Sequence, residues 1–316
     1  MPLPTLMDIQ SAAARIGPYT HRTPVMTSSA LDAMCGARLY FKCENLQKVG
    51  AFKIRGAANA VLSLSDGEAT KGVATHSSGN HAAALALAAR WRGVPAFVVM
   101  PEGAPEVKRA AVKGYGATIF GCAPTLAARE ARLIEVVAET GAAVVHPYND
   151  YRVIAGQGTA ALELCEEVPN LDMVVAPVGG GGLLSGTALL VNALRPHVQV
   201  IGAEPARADD AWQSMQAGRI VTVEHPDTIA DGLRASLGDL TFPIIQRYVA
   251  QIVRVSEDAI VDATRKVWER MKLVVEPSGA VPLAAVLSGE MNVRGLRIGI
   301  ILSGGNVDLD HPPWIR

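Results

Sequence analysis

Lys53 stands between Phe52 and Ile54, just inside a segment that reads as helical from Phe52 to Leu64. An amine held among apolar neighbours loses hydration and with it basicity, and the neutral amine is the form that condenses with a carbonyl to a Schiff base. Taken by itself the segment favours a plainer reading, a surface lysine whose stem covers apolar neighbours. Three loops further along the chain offer what a reactive lysine would need.

The first loop, His76-Ser77-Ser78-Gly79-Asn80-His81, lies between a predicted strand and an alanine-rich helix. Hydroxyls and main-chain N–H groups gathered at a helix N-terminus make a site for a carboxylate or phosphate. Equally, Ser78 or Asn80 would serve as a plain N-cap and His81 as a core histidine. The second loop carries Gly179, Gly180, Gly181 and Gly182 between a strand and a helix, followed by Leu183. Successive glycines let N–H groups wrap an anion without interference from Cβ atoms. The loop lacks the Gly-Lys-Ser/Thr ending of a Walker A motif, and Leu184 stands where dinucleotide spacing requires its third glycine. A phosphate cradle of another type is the natural reading. The third loop, Ser303-Gly304-Gly305-Asn306, follows the last predicted strand and alone is no more than a turn. The acidic run from Glu204 to Asp210 supplies oxygen ligands suited to Mg²⁺ or Ca²⁺, although such runs are more often solvated faces or helix N-termini. No Gly-x-Ser-x-Gly elbow and no His-Glu-x-x-His pair is present, so hydrolase readings fare badly.

The elements that must position these loops alternate strand with helix. Strands are expected at 37–43, 72–75, 96–100, 118–120, 143–145, 173–177, 198–203, 251–255 and 296–302, and helices at 80–90, 105–113, 125–140, 154–168, 182–194, 256–272 and 277–287. The polar stretch from Ser63 to Lys71 reads as a linker. The βαβα unit over 72–149 would make a parallel sheet of its own, inserted into a larger unit formed by 1–71 and 150–316. At 316 residues the chain is long enough for two lobes. With 49% hydrophobic and 19% charged residues it is a well-buried globular chain, and its net charge of -1 gives no reason to expect nucleic acid or an anionic membrane as a partner. Cys35, Cys43, Cys122 and Cys165 show no ligand spacing and read as reduced thiols of a cytoplasmic protein; neither a signal peptide nor a membrane span is expected.

The lysine, the Ser-Ser-Gly-Asn-His loop, the tetraglycine loop and the Ser-Gly-Gly-Asn loop, in that order, closely resemble fold-type II pyridoxal 5′-phosphate enzymes of the serine racemase and serine/threonine dehydratase family. The resemblance runs from Thr23-Pro24 through Ala155-Gly156-Gln157-Gly158-Thr159, Thr228-Ile229-Ala230-Asp231-Gly232 and Glu276-Pro277-Ser278 to Asp308, with no room for the regulatory domain of biosynthetic threonine deaminases. It implies a two-domain, tryptophan synthase beta-like α/β fold of parallel-rich twisted sheets flanked by helices. Residues 1–71 and 150–316 would form the large cofactor-binding domain and 72–149 a small mobile domain. Lys53 would carry the cofactor and, once freed, remove the substrate Cα proton. Phe52 would lie beside the cofactor ring, Asn80 would bond its 3′ oxygen, Gly179 to Leu183 would hold the phosphate, and Ser303 would face the pyridine nitrogen. Ser77, Ser78, Asn80 and His81 would bind the substrate carboxylate, with Ser78 also working on the face opposite Lys53. Arg129 matches an active-site arginine and would pair with a second carboxylate, as in 3-hydroxyaspartate. Glu204, Ala208 and Asp210 match a divalent-cation site for Mg²⁺, Ca²⁺ or Mn²⁺, Ala208 through its carbonyl. A homodimer is also implied.

The resemblance thus implies an ammonia-lyase that converts serine, threonine or threo-3-hydroxyaspartate to a 2-oxo acid and ammonia, with amino-acid racemisation as the alternative on the same residues. Lys48 and Tyr115 match the nucleotide site of eukaryotic racemases, but Leu46, Val49 and Ala83 replace an aromatic, a hydroxyl and an amide side chain, which speaks against ATP activation. Tyr148 replaces an asparagine near the substrate, which weighs against an identical substrate preference. A remote alternative, an NAD(P)-dependent oxidoreductase, rests on the strand, glycine loop and helix followed by Glu204, and the glycine mis-spacing weighs against it. A metabolite-binding protein without activity is a third reading, disfavoured by the intact Lys53, Ser78 and Ser303.

Overall fold

Short apolar runs alternating with helices build two separate sheets. A computed structural model describes residues 2–77, 79–104 and 106–315 of the chain. The strands are β1 (Val25–Met26), β2 (Arg38–Cys43), β3 (Val73–His76), β4 (Ala96–Pro101), β5 (Thr118–Cys122), β6 (Ala143–Val144), β7 (Met173–Pro177), β8 (Gln199–Pro205), β9 (Gln251–Val255) and β10 (Arg297–Leu302). In the first half of the chain the helices are α1 (Leu6–Ile16), α2 (Ser29–Cys35), α3 (Lys53–Leu62), α4 (Asp66–Ala69), α5 (Asn80–Arg92), α6 (Glu106–Gly114) and α7 (Leu126–Thr140). They continue with α8 (Tyr151–Glu167), α9 (Gly182–Leu194), α10 (Asp210–Ala217), α11 (Phe242–Tyr248), α12 (Glu257–Met271) and α13 (Pro277–Leu287).

The larger sheet has the order β1-β2-β10-β7-β8-β9, parallel except for β1 on β2; the smaller has the order β5-β4-β3-β6, parallel throughout. Every residue of β7 is buried, as expected where helices cover both faces of a parallel sheet. Its alternation divides the core: Met173 and Val175 join α2, α12 and α13, whereas Val174 and Ala176 face α1, α8, α9 and α11. In the smaller sheet, Val73 and Val98 pack towards α3 and α5, and Ala74 and Val99 towards α7.

The run expected to be a linker contains α4, because Ser65 and Glu68 form a capping box in which each side chain bonds the other residue's main-chain N–H. Thr5, Ser28, Thr125, Asp150 and Ser256 likewise cap their helices with their side chains. By contrast, the N-cap residues of α3, α5 and α9 provide no side-chain cap.

A buried ion network holds α3 in place. The Arg55 guanidinium, fully buried, donates to both oxygens of Glu44 at 2.7 and 2.8 Å and to both oxygens of Glu163 at 2.7 and 2.8 Å. Lys42 Nζ donates to Glu163 at 2.6 Å and to the Thr23 carbonyl at 2.6 Å, while the Thr23 hydroxyl donates to Glu44 at 2.6 Å. Two cations face two carboxylates, so no net charge is buried, and the bidentate geometry offsets the desolvation that isolated ions would suffer. The network ties α3 to β2 and α8 two residues beyond Lys53.

Candidate active site

Lys53 is the first residue of α3, and its Nζ donates to the main-chain carbonyl of Pro147 at 3.0 Å. The amine lies 5.2 Å from the centre of the Phe52 ring. Burial lowers its pKa to about 8, with the Glu276 carboxylate acting in the opposite direction. The amine is therefore neutral in an appreciable fraction of molecules at mildly alkaline pH, which a surface lysine would not be.

The three loops follow β3, β7 and β10 at their carboxyl ends, where ligands of open α/β sheets bind. The glycine loop is walled on every side. A Cβ at Gly179 would sit 2.9 Å from Leu233 Cα, one at Gly180 would enter the Tyr148 ring, and one at Gly182 would lie 3.0 Å from Tyr148 Cβ. Gly181 has φ 88°, and a Cβ there would meet Leu237, Thr241 and Ile245 at 2.9 Å. The Gly180 carbonyl accepts from Thr241 Oγ1 at 2.9 Å, which orients the loop, and α9 starts at Gly182 with its N–H groups uncapped and Leu183 buried behind them. A mobile turn would need none of this packing.

Ser303 is buried, and its carbonyl accepts from Phe52 N at 3.0 Å. Ala51 bridges to Gly304, and Gly305 N donates to the Gly50 carbonyl at 2.9 Å. The serine loop and the lysine segment are thus stitched together along their main chains. From the loop after β3, Asn80 Nδ2 donates to Glu276 at 3.0 and 3.3 Å, and its Oδ1 accepts from Asn306 Nδ2 at 2.9 Å. Ser77 Oγ accepts from Gly79 N at 3.3 Å. Ser78 lies outside the described residues. His81 is buried; its Nε2 is 3.2 Å from the Val145 carbonyl, so Nε2 carries the hydrogen, and Nδ1 is buried without a partner among the described residues. Burial and the nearby Lys53 hold His81 neutral, well below the usual imidazole value.

Arg129 is half-buried on α7; its Nη2 donates to the Pro124 carbonyl at 3.2 Å, and among the described residues its buried Nε has no partner and its guanidinium forms no ion pair. A residue not singled out by sequence, His146, flanks this side. It accepts from the main-chain N–H of Asn149 at 2.9 Å through Nδ1, and burial lowers its pKa to about 4. Its ring meets those of His76 and Tyr148 edge-on, with centres 5.6 and 4.6 Å away. The only sequence signal for it was a local concentration of aromatic and imidazole side chains.

Glu204, at the end of β8, is fully buried and accepts from Ala211 N and Trp212 N, both at 2.9 Å, so it caps α10 from outside. Asp210 accepts from Leu237 N at 3.2 Å, and Ala208 is fully buried beside it in sequence. Burial, with Asp210 adding repulsion, pushes Glu204 up to about 9, and burial pushes Asp210 up to about 7. Among the described residues no three His, Cys, Asp or Glu side chains converge as a metal site, so a cation there would depend on main-chain oxygen as well.

A family model described as pyridoxal-phosphate dependent enzyme matches residues 16–304. The chain belongs to that family. A beta-hydroxyaspartate dehydratase of Paracoccus denitrificans (strain Pd 1222) is 52% identical over 314 residues, which cover 99% of this chain and 100% of that protein. The structure of maize serine racemase superposes with a TM-score of 0.96 at 50% identity, covering 98% of this chain and 95% of that one. A T.th. threonine deaminase gives 0.92 at 48% identity, covering 96% of this chain and 99% of that one. Pyridoxal 5′-phosphate fits the residues present: a lysine amine of lowered basicity, a glycine loop walled so that only glycine is accepted, and an uncapped helix N-terminus behind it. The two carboxylates of Glu204 and Asp210, desolvated and mutually repelling, fit a hard divalent cation by their oxygen chemistry.

Proposed function

We propose that the protein is an ammonia-lyase that dehydrates a β-hydroxy amino acid (serine, threonine or threo-3-hydroxyaspartate) to a 2-oxo acid and ammonia, with racemisation as a second reading on the same residues. The observation that carries it is the partly buried Lys53 amine, lowered to about 8 and without an ion-pair partner among the described residues, at the head of a helix stitched to the Ser303 loop. The kinship to a beta-hydroxyaspartate dehydratase and to a serine racemase supports both readings.

Bound pyridoxal 5′-phosphate supplies the electron-withdrawing ring that makes a Cα–H bond of the substrate acidic. Lys53 would carry the cofactor and, once freed, its amine would take the substrate Cα proton. Main-chain N–H groups of Gly179 to Leu183 would hold the phosphate, and Phe52, Asn80 and Ser303 would hold the ring, Asn80 at its 3′ oxygen and Ser303 at its nitrogen. A neutral ring nitrogen is a weaker electron sink, which favours elimination over long-lived carbanion chemistry. Ser77, Ser78, Asn80 and His81 would receive the substrate carboxylate, His81 through its main-chain N–H because its ring hydrogen is given to Val145, and Ser78 would serve the opposite face, which racemisation needs. Arg129, lacking a carboxylate of its own among the described residues, pairs with a second substrate carboxylate.

Further parts of the same reading are a divalent cation at Glu204, Ala208 and Asp210, a cytoplasmic homodimer, and a small domain, 72–149, that moves against 1–71 and 150–316. In support of the last, the four strands of that segment pair with one another alone among the described residues, and the Lys108–Asp231 ion pair at 2.7 Å spans the two parts with both partners partly exposed. No helix among the described residues is long and apolar enough to cross a membrane.

The deciding experiment is to incubate the purified protein with L-serine, D-serine, L-threonine and both threo-3-hydroxyaspartate enantiomers, measuring ketoacid release and substrate chirality. Lys53→Ala should abolish both the visible absorbance of bound cofactor and turnover; a fully active Lys53→Ala protein sinks the reading.

A further inference from the structure

Glu276 is a buried carboxylate at the N-cap position of α13, only 5% exposed, and its side chain does not cap that helix. It turns away, towards Asn80 and the loop after β10. Its Oε1 accepts from Asn80 Nδ2 at 3.0 Å and its Oε2 from Asn306 N at 3.2 Å, while Asn306 Nδ2 returns to Asn80 Oδ1 at 2.9 Å and reaches the Val49 carbonyl at 2.7 Å. Glu276, Asn80 and Asn306 therefore close a ring of hydrogen bonds that joins the first residue of α5, the N-cap of α13 and the loop after β10. Gly304 makes room for it, since a Cβ there would stand 2.5 Å from Glu276 Oε1. Burial and the repulsion of Asp231 push the Glu276 carboxyl up to about 7, so a carboxylate is costly here; Lys108 from α6 opposes this, and Lys53 on α3 feels its charge.

Desolvating a carboxylate that neither caps its helix nor forms a close ion pair calls for another use. An amide side chain has two N–H donors and otherwise rotates or flips freely. With Glu276 taking one donor and Asn306 occupying the oxygen, the orientation of the Asn80 amide is set and one N–H remains to be offered. We propose that Glu276 is a positioning residue, acting through Asn80: it presets the Asn80 amide and the N-terminus of α5 for the bound cofactor. The inference rests on the pyridoxal 5′-phosphate reading of this site.

Reach and charge can be separated by two substitutions in the holoenzyme. Glu276→Gln keeps the length and an oxygen that accepts from Asn80 but loses the charge; Glu276→Asp keeps the charge but withdraws the carboxylate by one methylene. The readouts are the dissociation constant for pyridoxal 5′-phosphate and the wavelength of its visible band, with circular dichroism as a check on folding. Glu276→Asp should weaken cofactor retention on the order of tenfold and move the band, Glu276→Gln should restore most of the retention, and Glu276→Asp should add nothing to an Asn80→Ala background. Three results overturn the proposal: both variants retaining cofactor as the parent does, Glu276→Gln losing it as much as or more than Glu276→Asp, or the losses in Glu276→Asp and Asn80→Ala multiplying as independent effects. A parent protein that holds no pyridoxal 5′-phosphate overturns the functional reading instead, so the two failures are distinct.

Discussion

Lys53 Nζ donates to the Pro147 carbonyl at 3.0 Å, a main-chain oxygen of the segment that leads from the smaller sheet back to α8. A neutral acceptor orients the amine without adding the full charge that would keep it protonated, and burial is left to set its basicity.

The first prediction concerns that basicity. With a pKa of about 8, the neutral fraction of Lys53 grows through the pH range around that value and then saturates. The rate at which cofactor-free protein takes up pyridoxal 5′-phosphate, followed by the growth of visible absorbance, should rise about tenfold between roughly pH 7 and 9 and level off. A rate that stays low and climbs only beyond about pH 10 would mean an ordinary lysine.

A second prediction tests the wall of the glycine loop. Gly180→Ala drives a methyl group into the Tyr148 ring, and Gly181→Ala forces a side chain into a φ of 88°. The latter conformation costs about 1–2 kcal/mol for a residue with a Cβ. Both variants should bind cofactor about tenfold or more weakly in equilibrium dialysis. Tyr148→Ala should recover part of the loss in Gly180→Ala and none of it in Gly181→Ala.

The buried acids give a pH prediction whose sign follows from their raised values. A carboxyl group with a folded pKa above its unfolded one favours folding while protonated, and that contribution is lost as the pH rises through the folded value. In EDTA, thermal stability should therefore fall as the pH rises above the ordinary carboxyl range, levelling off near about 7 for Asp210 and about 9 for Glu204. Mg²⁺ or Ca²⁺, which binds the ionised pair, should raise Tm more at about pH 8 than at about pH 6, and Asp210→Asn should remove most of that gain. Equal cation effects in the parent and in Asp210→Asn would exclude this pair as the site.

Arg55 carries the fourth prediction. Arg55→Leu leaves the buried Glu44 without its ion-pair partner and the nearly buried Glu163 with Lys42 alone, side chains 0% and 14% exposed. Stability should drop by about 3–5 kcal/mol, read as a lower urea midpoint. Cofactor retention should weaken as well, because the same guanidinium anchors α3 beneath Lys53; a variant with unchanged midpoint would show that the network is dispensable.

Elements bounded by proline or glycine were legible to the residue: Met173–Pro177, Gly182–Leu194 and Pro277–Leu287 are apolar runs with sharp local ends. The interval from Glu204 to Val249 was not, since α10 is capped by Glu204 from β8 and held by contacts with Leu237, neither of which is local. The candidate site divides in the same way. Lys53, the glycines and Ser303 announce themselves within single loops. The Asn80–Glu276 bond and the Arg55 network join residues 196 and 108 positions apart, and no periodicity or motif reports a hydrogen bond between distant buried groups.

The place of β10 in the larger sheet bears on how the molecule is made. Lying between β2 and β7, it supplies the hydrogen bonds that join the two, so a chain emerging from the ribosome has both strands long before their shared neighbour. Until 297–302 arrives, two apolar edges stand open and the Ser303 side of the cleft is missing, which makes cofactor capture a late event and the nascent chain a natural client for chaperones.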